Sequence, residues 1–173
     1  AGMPVEAVER EGEFQEGLRK FSPRVVSTLA ELPGLYDAIV AVNVLEHIED
    51  DGAVLREFFA KLKPGGFVSL YHPAHQFLFS HLDSLVGHYR RYGREDLAGK
   101  VAAAGFAVEE IRMVDSIGLA MCCLYKWLHW GDGNLSPGPM RFYDTFVWPL
   151  SRVLDAATFG RVGKSIFLLG RKP

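Results

Sequence analysis

The sequence predicts an α/β fold built on a mostly parallel sheet. Three observations predict it. Strand-like and helix-like stretches alternate along the chain, as in successive β-α-β units. Residues 36–42 read YDAIVAV, an apolar run typical of a strand buried on both faces. Residues 50–62 carry Val54, Leu55, Phe58, Phe59 and Leu62 at helical spacing, and Lys63-Pro64-Gly65-Gly66 ends them before another strand.

The elements follow in order. Residues 5–9 read as a short strand ending in an acid, Glu9. Residues 11–21 have helical composition weakened by Gly12 and Gly17. Residues 24–28 form a second short strand, and Leu32-Pro33-Gly34 marks a turn. After the 36–42 strand, Asp50 or Asp51 caps the helix over 50–62, and 67–71 is the next strand. Residues 72–93 form a long irregular stretch rich in His, Tyr and Arg. A helix over 94–104 stops at Gly105, and 106–114 is a strand. Residues 117–130 read as an apolar helix, 131–139 as a Gly- and Pro-rich loop, 141–157 as a helix and 165–170 as a final strand.

The chain has 173 residues, which suits one domain that buries roughly 70% of the unfolded surface. Hydrophobic residues make up 49%, enough for a sizeable core. A net charge of −2 without long runs of one sign gives no electrostatic case for a nucleic-acid partner. Cys122 and Cys123 are adjacent, a strained spacing for a disulfide and the wrong one for a metal half-site. They read as small buried hydrophobes, which suits a reducing cytoplasm, and no signal peptide is read at the start. The longest apolar run, 117–125, ends at Lys126, short of the about 20 residues a membrane span needs. Trp127, Trp130 and Trp148 leave open a helix lying on a membrane surface, although a core or lid helix fits better.

Three segments carry a resemblance. The first is YDAIVAVNVLEHIEDDGAVLREFFAKLKPGGFVSLYHPA, residues 36–74. The second is LDSLVGHYRRYGREDLAGKVAAAGFAVEEI, residues 82–111, and the third is the tail GKSIFLLGRKP. In this order and spacing they resemble the class I S-adenosylmethionine-dependent methyltransferase family, in its bacterial subgroup with LEHI, PGG and GHxRRY motifs. The resemblance implies a Rossmann-like sheet of order 3-2-1-4-5-7-6 and S-adenosyl-L-methionine as cofactor. It implies that Asn43, Val44 and Leu45 line the cofactor with His47 close by, where ligands of open α/β sheets bind. The alternative is a strand-to-helix loop in which His47 caps or packs. The resemblance gives Glu9 the ribose hydroxyls, whose charge-assisted hydrogen bonds contribute roughly 1.5–3 kcal/mol. Alternatively Glu9 is one exposed acid among Glu6, Glu11 and Glu13. At the adenine contact, where the family often has an acid, the register falls on Thr28 and Leu29, with Glu31 shortly after.

The family's first strand runs into Gly-x-Gly-x-Gly, and this sequence contains no such motif. Gly131-Asp132-Gly133 follows no strand, and Ala1-Gly2-Met3 resembles the end of the family's first helix. The expectation is a sheet lacking the first strand and glycine loop, with upstream residues or another chain supplying them.

The remaining candidates concern the methyl acceptor. His72, His75, His81 and His88 cluster after the fifth family strand; His72 and His88 are the candidate bases, or else orient loops by hydrogen bonds. Arg90, Arg91 and Tyr92 would hold an anionic or sugar-like acceptor, or pair with Asp83, Glu95 or Asp96 to fix the loop. Residues 116–158 read as a helical lid or insertion within a single partial domain over 1–173. No metal is expected. The reading is a cytoplasmic methyltransferase acting on a small-molecule or sugar- or lipid-linked acceptor. The alternative is a non-catalytic α/β module that binds a partner chain through an open sheet edge. A nicotinamide dehydrogenase would need a glycine fingerprint that is equally absent.

Overall fold

In the computed structural model, which describes residues 5–128 and 141–173, the chain divides into two compact units, Ala1–Tyr36 and Asp37–Pro173. The expected 131–139 loop, Trp130 and the Ala1-Gly2-Met3 helix end lie outside the described residues.

The N-terminal unit is a β-α-β turn of chain. Strand β1 (Glu6–Val8) and strand β2 (Arg24–Val26) pair in parallel, with Glu6 opposite Arg24 and Val8 opposite Val26. The Glu9 N–H extends this ladder to the Val26 carbonyl at 2.9 Å. Helix α1 (Gly12–Leu18) crosses between the strands, and the Gln15 amide ties it to the Glu9 carbonyl at 2.7 Å. The helix is shorter than its composition predicts. It buries no residue, so packing adds little to a stretch already weakened by glycine.

The C-terminal unit holds a four-stranded sheet of order β3-β4-β6-β5. Its strands are β3 (Tyr36–Val42), β4 (Leu62–Pro73), β5 (Ala107–Val114) and β6 (Ser165–Arg171). The Asn43 N–H, just past the end of β3, donates to the Tyr71 carbonyl near the end of β4, so these neighbours run the same way. β6 is antiparallel to both β4 and β5. Three strands therefore share one direction and the last reverses. Within each sheet the strand order is the one the resemblance implies: third beside second in one; fourth, fifth, seventh and sixth in the other.

Helix α2 (Asp51–Lys61) starts where the Asp50 carboxylate accepts the Ala53 N–H at 2.8 Å. It buries Leu55 and Phe58, and helix α4 (Arg94–Ala103) buries Leu97 and Val101 one turn apart. Along β4, Val68, Leu70 and His72 are all buried, because alternate residues share one face of a strand. Ile166 and Leu168 of β6 complete this core.

Several elements differ from their sequence reading, β3 first: Val40 and Val42 are exposed, against the expectation of a strand buried on both faces. β4 starts at Leu62, ahead of the Pro-Gly-Gly turn, and a Cβ on Gly66 would lie 2.9 Å from the Lys63 carbonyl oxygen and 3.0 Å from that of Asp37. The stretch 72–93 contains helix α3 (His81–Leu85) and a 3₁₀ turn over Gln76–Leu78. Helix α5 (Ser116–Leu128) leaves Cys123 exposed and Cys122 half-buried, against the reading of both as buried. Helix α6 (Trp148–Ala157) is preceded by a π-helical turn over Tyr143–Val147. Among the described residues no helix is long and apolar enough to cross a membrane.

Two glycines near α4 give opposite expectations. Gly105 has φ +106, and a Cβ there would lie 2.9 Å from the Phe59 ring. Gly99 is exposed inside the helix, and a Cβ there meets nothing within 4 Å. Gly105→Ala is expected to destabilise the protein by about 1–3 kcal/mol, from strain and overpacking. Gly99→Ala is expected to stabilise it by about 0.5–1 kcal/mol. Urea unfolding midpoints of the two variants check both signs.

Candidate functional site

The strand end at residues 43–47 is built by one backbone reversal. Asn43 has φ 51, a left-handed conformation that asparagine tolerates better than most residues. A 3₁₀ turn over Leu45–His47 follows. Asn43, Val44 and His47 face outward, while Leu45 and Glu46 have no exposure. Leu45, expected beside the cofactor, thus turns its side chain into the core.

Glu46 joins three segments. Its Oε2 accepts from His72 Nδ1 at 2.9 Å, and neither side chain has any exposure. Its carbonyl accepts the Tyr89 N–H at 2.8 Å, which draws the 87–92 segment alongside the turn. The rings of His47 and His88 then meet edge to face, 4.6 Å between centroids. Glu46 Oε1 and His72 Nε2 are buried without a hydrogen-bond partner among the described residues.

Two aspartates anchor the GHxRRY segment. Asp83 accepts from the Ser80 N–H at 2.8 Å, from His88 Nδ1 at 3.0 Å, and from Arg91 Nε at 2.8 Å. Asp51 Oδ2 accepts from the Tyr92 hydroxyl at 2.9 Å, Arg90 at 2.9 Å and Lys100 at 2.6 Å. Burial by itself would raise both carboxyls. The hydrogen bonds from Arg91, Ser80 and His88 hold Asp83 below the usual carboxylate range instead. Those from Lys100 and Tyr92, with the Arg90 charge, do the same for Asp51. Burial and the bond to Asp51 push the Tyr92 phenol far up, and its side chain is fully enclosed.

These contacts place each acceptor candidate. His88 is half-buried, with one ring nitrogen fixed by Asp83. His72 lies on the core face of β4, enclosed by Glu46 and by the Tyr92 ring 5.5 Å away. His75 bonds the Gly163 carbonyl at 2.9 Å, and His81 is exposed at the start of α3. Arg90, Arg91 and Tyr92 commit their polar groups to Asp51 and Asp83. Asp83 is the loop-fixing partner the sequence suggested. Asp51 is a partner the sequence reading missed, because it had been read only as a helix cap.

In the N-terminal unit, Glu9 is half-buried, and one of its carboxylate oxygens accepts the Glu11 N–H at 2.9 Å. The Thr28 hydroxyl donates to the Glu31 carboxylate at 2.8 Å, so the acid shortly after Thr28 folds back beside it. Leu29 follows in a 3₁₀ turn and is half-exposed.

Sequence reasoning also missed a second polar knot. Asp115, with φ 72 at the end of β5, accepts from Ser151 Oγ at 2.8 Å and the Gly118 N–H at 2.9 Å, and from the Tyr143 hydroxyl. Lys164 lies 3.0 Å from the same carboxylate. Burial would raise Asp115, but Tyr143, Lys164 and Ser151 outweigh it and hold it low. A lone acid after a strand carries no sequence signal for such a role.

Comparison with known proteins supplies the class. The chain belongs to the methyltransferase domain family, which it matches over residues 4–111. It is 44% identical over 39 residues to a ubiquinone biosynthesis O-methyltransferase of Chromobacterium violaceum, covering 22% of this chain and 17% of that relative's length. It superimposes on a SAM-dependent methyltransferase from Archaeoglobus fulgidus with TM-score 0.59 and 16% identity, covering 95% of this chain and 74% of that one. An S-adenosylmethionine-dependent methyltransferase from Mesorhizobium loti gives TM-score 0.59 at 14% identity, over 99% of this chain and 82% of that one. These similarities show a Rossmann-like methyltransferase fold.

The aspartates set an acid limit. Asp51, Asp83 and Asp115 all have carboxyls held below the ordinary 3.8, so the unfolded chain binds protons more readily than the folded one. Their stabilisation is complete above about pH 5 and is lost as pH falls through the lower folded-state values. Unfolding midpoints are expected to be flat from about pH 7 to 5 and to drop below about pH 4. Asp83→Asn is expected to cost roughly 3 kcal/mol at neutral pH and to flatten the acid limb.

Proposed function

We propose that this protein transfers a methyl group from S-adenosyl-L-methionine to an oxygen of a small-molecule or sugar- or lipid-linked acceptor. The observation that carries the proposal is the exposed turn at Asn43 and Val44. It lies past the carboxyl end of β3, beside the same end of the parallel strand β4, which is where ligands of open α/β sheets bind. The Chromobacterium relative is an O-methyltransferase, which supports oxygen as the acceptor atom.

Each unit by itself offers groups whose chemistry suits a nucleoside. In the N-terminal unit, Glu9 offers a carboxylate to ribose hydroxyls, while Thr28, Leu29 and the folded-back Glu31 offer polar and apolar contacts to an adenine. In the C-terminal unit, Asn43 and Val44 present exposed backbone and side chains, Leu45 backs them from the core, and His47 flanks them. When bound, the cofactor supplies a methyl group already activated by its sulfonium charge. The chain's own work is alignment, for which proximity supplies about 7–11 kcal/mol.

His88 serves the acceptor oxygen. Asp83 fixes its Nδ1, which orients the ring and leaves Nε2 as the acceptor of a proton. Arg91 and Ser80 hold Asp83 in turn, so Arg91 acts as a positioning residue. Arg90 and Tyr92 position the segment through Asp51. His72 enters as the enclosed partner of Glu46. The exposed Met121, Leu124 and Trp127 of α5, with Leu150 and Val153 of α6, support the lid reading of 116–158 for an acceptor with an apolar part.

Calorimetry of the full-length protein with S-adenosylhomocysteine tests the cofactor half. Micromolar binding is expected, weakened roughly 10–100-fold in Glu9→Ala by the lost hydrogen bonds. No binding at all would overturn the reading in favour of a non-catalytic module. His88→Ala is expected to leave this affinity unchanged and to lower kcat by about 10²–10⁴-fold.

A further inference from the structure

We propose that Glu46, His47 and His88 form a binding site for one divalent transition-metal cation. The sequence reading expected no metal. One carboxylate oxygen of Glu46 and one ring nitrogen each of His47 and His88 lie within 4.8 Å of one another. Ions of this class hold nitrogen and oxygen ligands at roughly 2.0–2.2 Å. Ligand atoms that share one ion at that distance lie roughly 3–3.5 Å from one another, so the three groups would have to draw in somewhat around it.

A second observation concerns the same carboxyl group. Glu46 Oε1 is fully buried and has no hydrogen-bond partner among the described residues. An orphaned acceptor of this kind costs about 1–3 kcal/mol, so something normally fills it. Its companion Oε2 is held by His72, which fixes the carboxyl plane.

The surroundings have the form of an outer ligand shell. His88 Nδ1 donates to Asp83 at 3.0 Å, which leaves Nε2 with its lone pair available. A carboxylate behind a histidine is the usual support of a metal-bound imidazole. Arg91 and the Ser80 N–H pin Asp83, and the Tyr89 N–H clamps the ligand-bearing segments together at the Glu46 carbonyl. Two imidazoles with one carboxylate favour manganese, iron, cobalt or zinc over magnesium and calcium, which prefer oxygen. Three protein ligands leave open positions, the arrangement of sites that bind a substrate oxygen rather than only brace a fold. With the ion in place, His88 serves the acceptor through it instead of as a free base. The site itself does not rest on the methyl-transfer reading.

The test uses the tag-free full-length protein, stripped with chelator and titrated with Co²⁺, whose visible absorption reports its ligands. One Co²⁺ per chain with micromolar affinity is expected, displaced by Zn²⁺ and not by equal Mg²⁺. His47→Ala removes an exposed ring and leaves the Glu46–His72 pair in place. It and His88→Ala should each weaken binding at least tenfold, and Asp83→Asn about 10–100-fold. The exposed His81→Ala should leave binding unchanged. No saturable Co²⁺ binding, or affinity unaltered in His47→Ala and His88→Ala, would overturn the site while leaving S-adenosylhomocysteine binding to be judged by itself.

Discussion

Burying a carboxyl group is costly unless hydrogen bonds replace the water it loses. Glu46 meets that constraint at one oxygen, by taking His72 from the end of β4 as the partner of Oε2. Asn43 reverses the chain ahead of the inward-turned Glu46, and His47 faces out behind it. The same residue's carbonyl then fixes Tyr89, and with it the ring of His88. The strand end, the core face of β4 and the GHxRRY segment are therefore not three independent features. One enclosed pair sets the position of all of them.

The loops of the C-terminal unit are held by charge rather than by apolar packing. Asp51 and Asp115 each gather several donors from segments far apart in sequence, and Asp83 gathers Ser80, His88 and Arg91 within its own loop. Such networks rigidify when every member is satisfied and become a liability when one is missing. This explains why a stretch as polar as 80–92 adopts one arrangement with few buried apolar residues of its own. It also means that arginines legible as anion-binding groups spend their donors inside the protein.

Parts of this arrangement were legible in the residue order. The alternation of elements, the β3 strand, the start of α2 near Asp50 and the stop at Gly105 all rest on local physics: apolar periodicity, caps and left-handed glycine. They hold in the structure for that reason. The place of the LEHI stretch at the carboxyl end of a strand was legible because an apolar run followed by a helix start fixes that order along the chain. Within it, Glu46 was passed over, since an acid beside a histidine gives no sign of whether it faces water. The enclosure of His72 follows from the period-two face of β4 that also buries Val68 and Leu70, yet its partner lies 26 positions away. The short α1 and the exposed Cys123 went differently from their reading because propensity and composition say little about what an element packs against.

The sequence by itself determined the order of most strands and helices along the chain, the strand order within each sheet through the resemblance, and that the LEHI stretch follows the carboxyl end of a strand. Those properties are local or carried by motif spacing. Only the tertiary structure decided which histidine is enclosed and which is presented, which aspartates collect the arginines, and that Glu46, His47 and His88 converge. Convergence of that kind depends on backbone hydrogen bonds between distant segments, and no spacing along the chain encodes which carbonyl a given N–H will find.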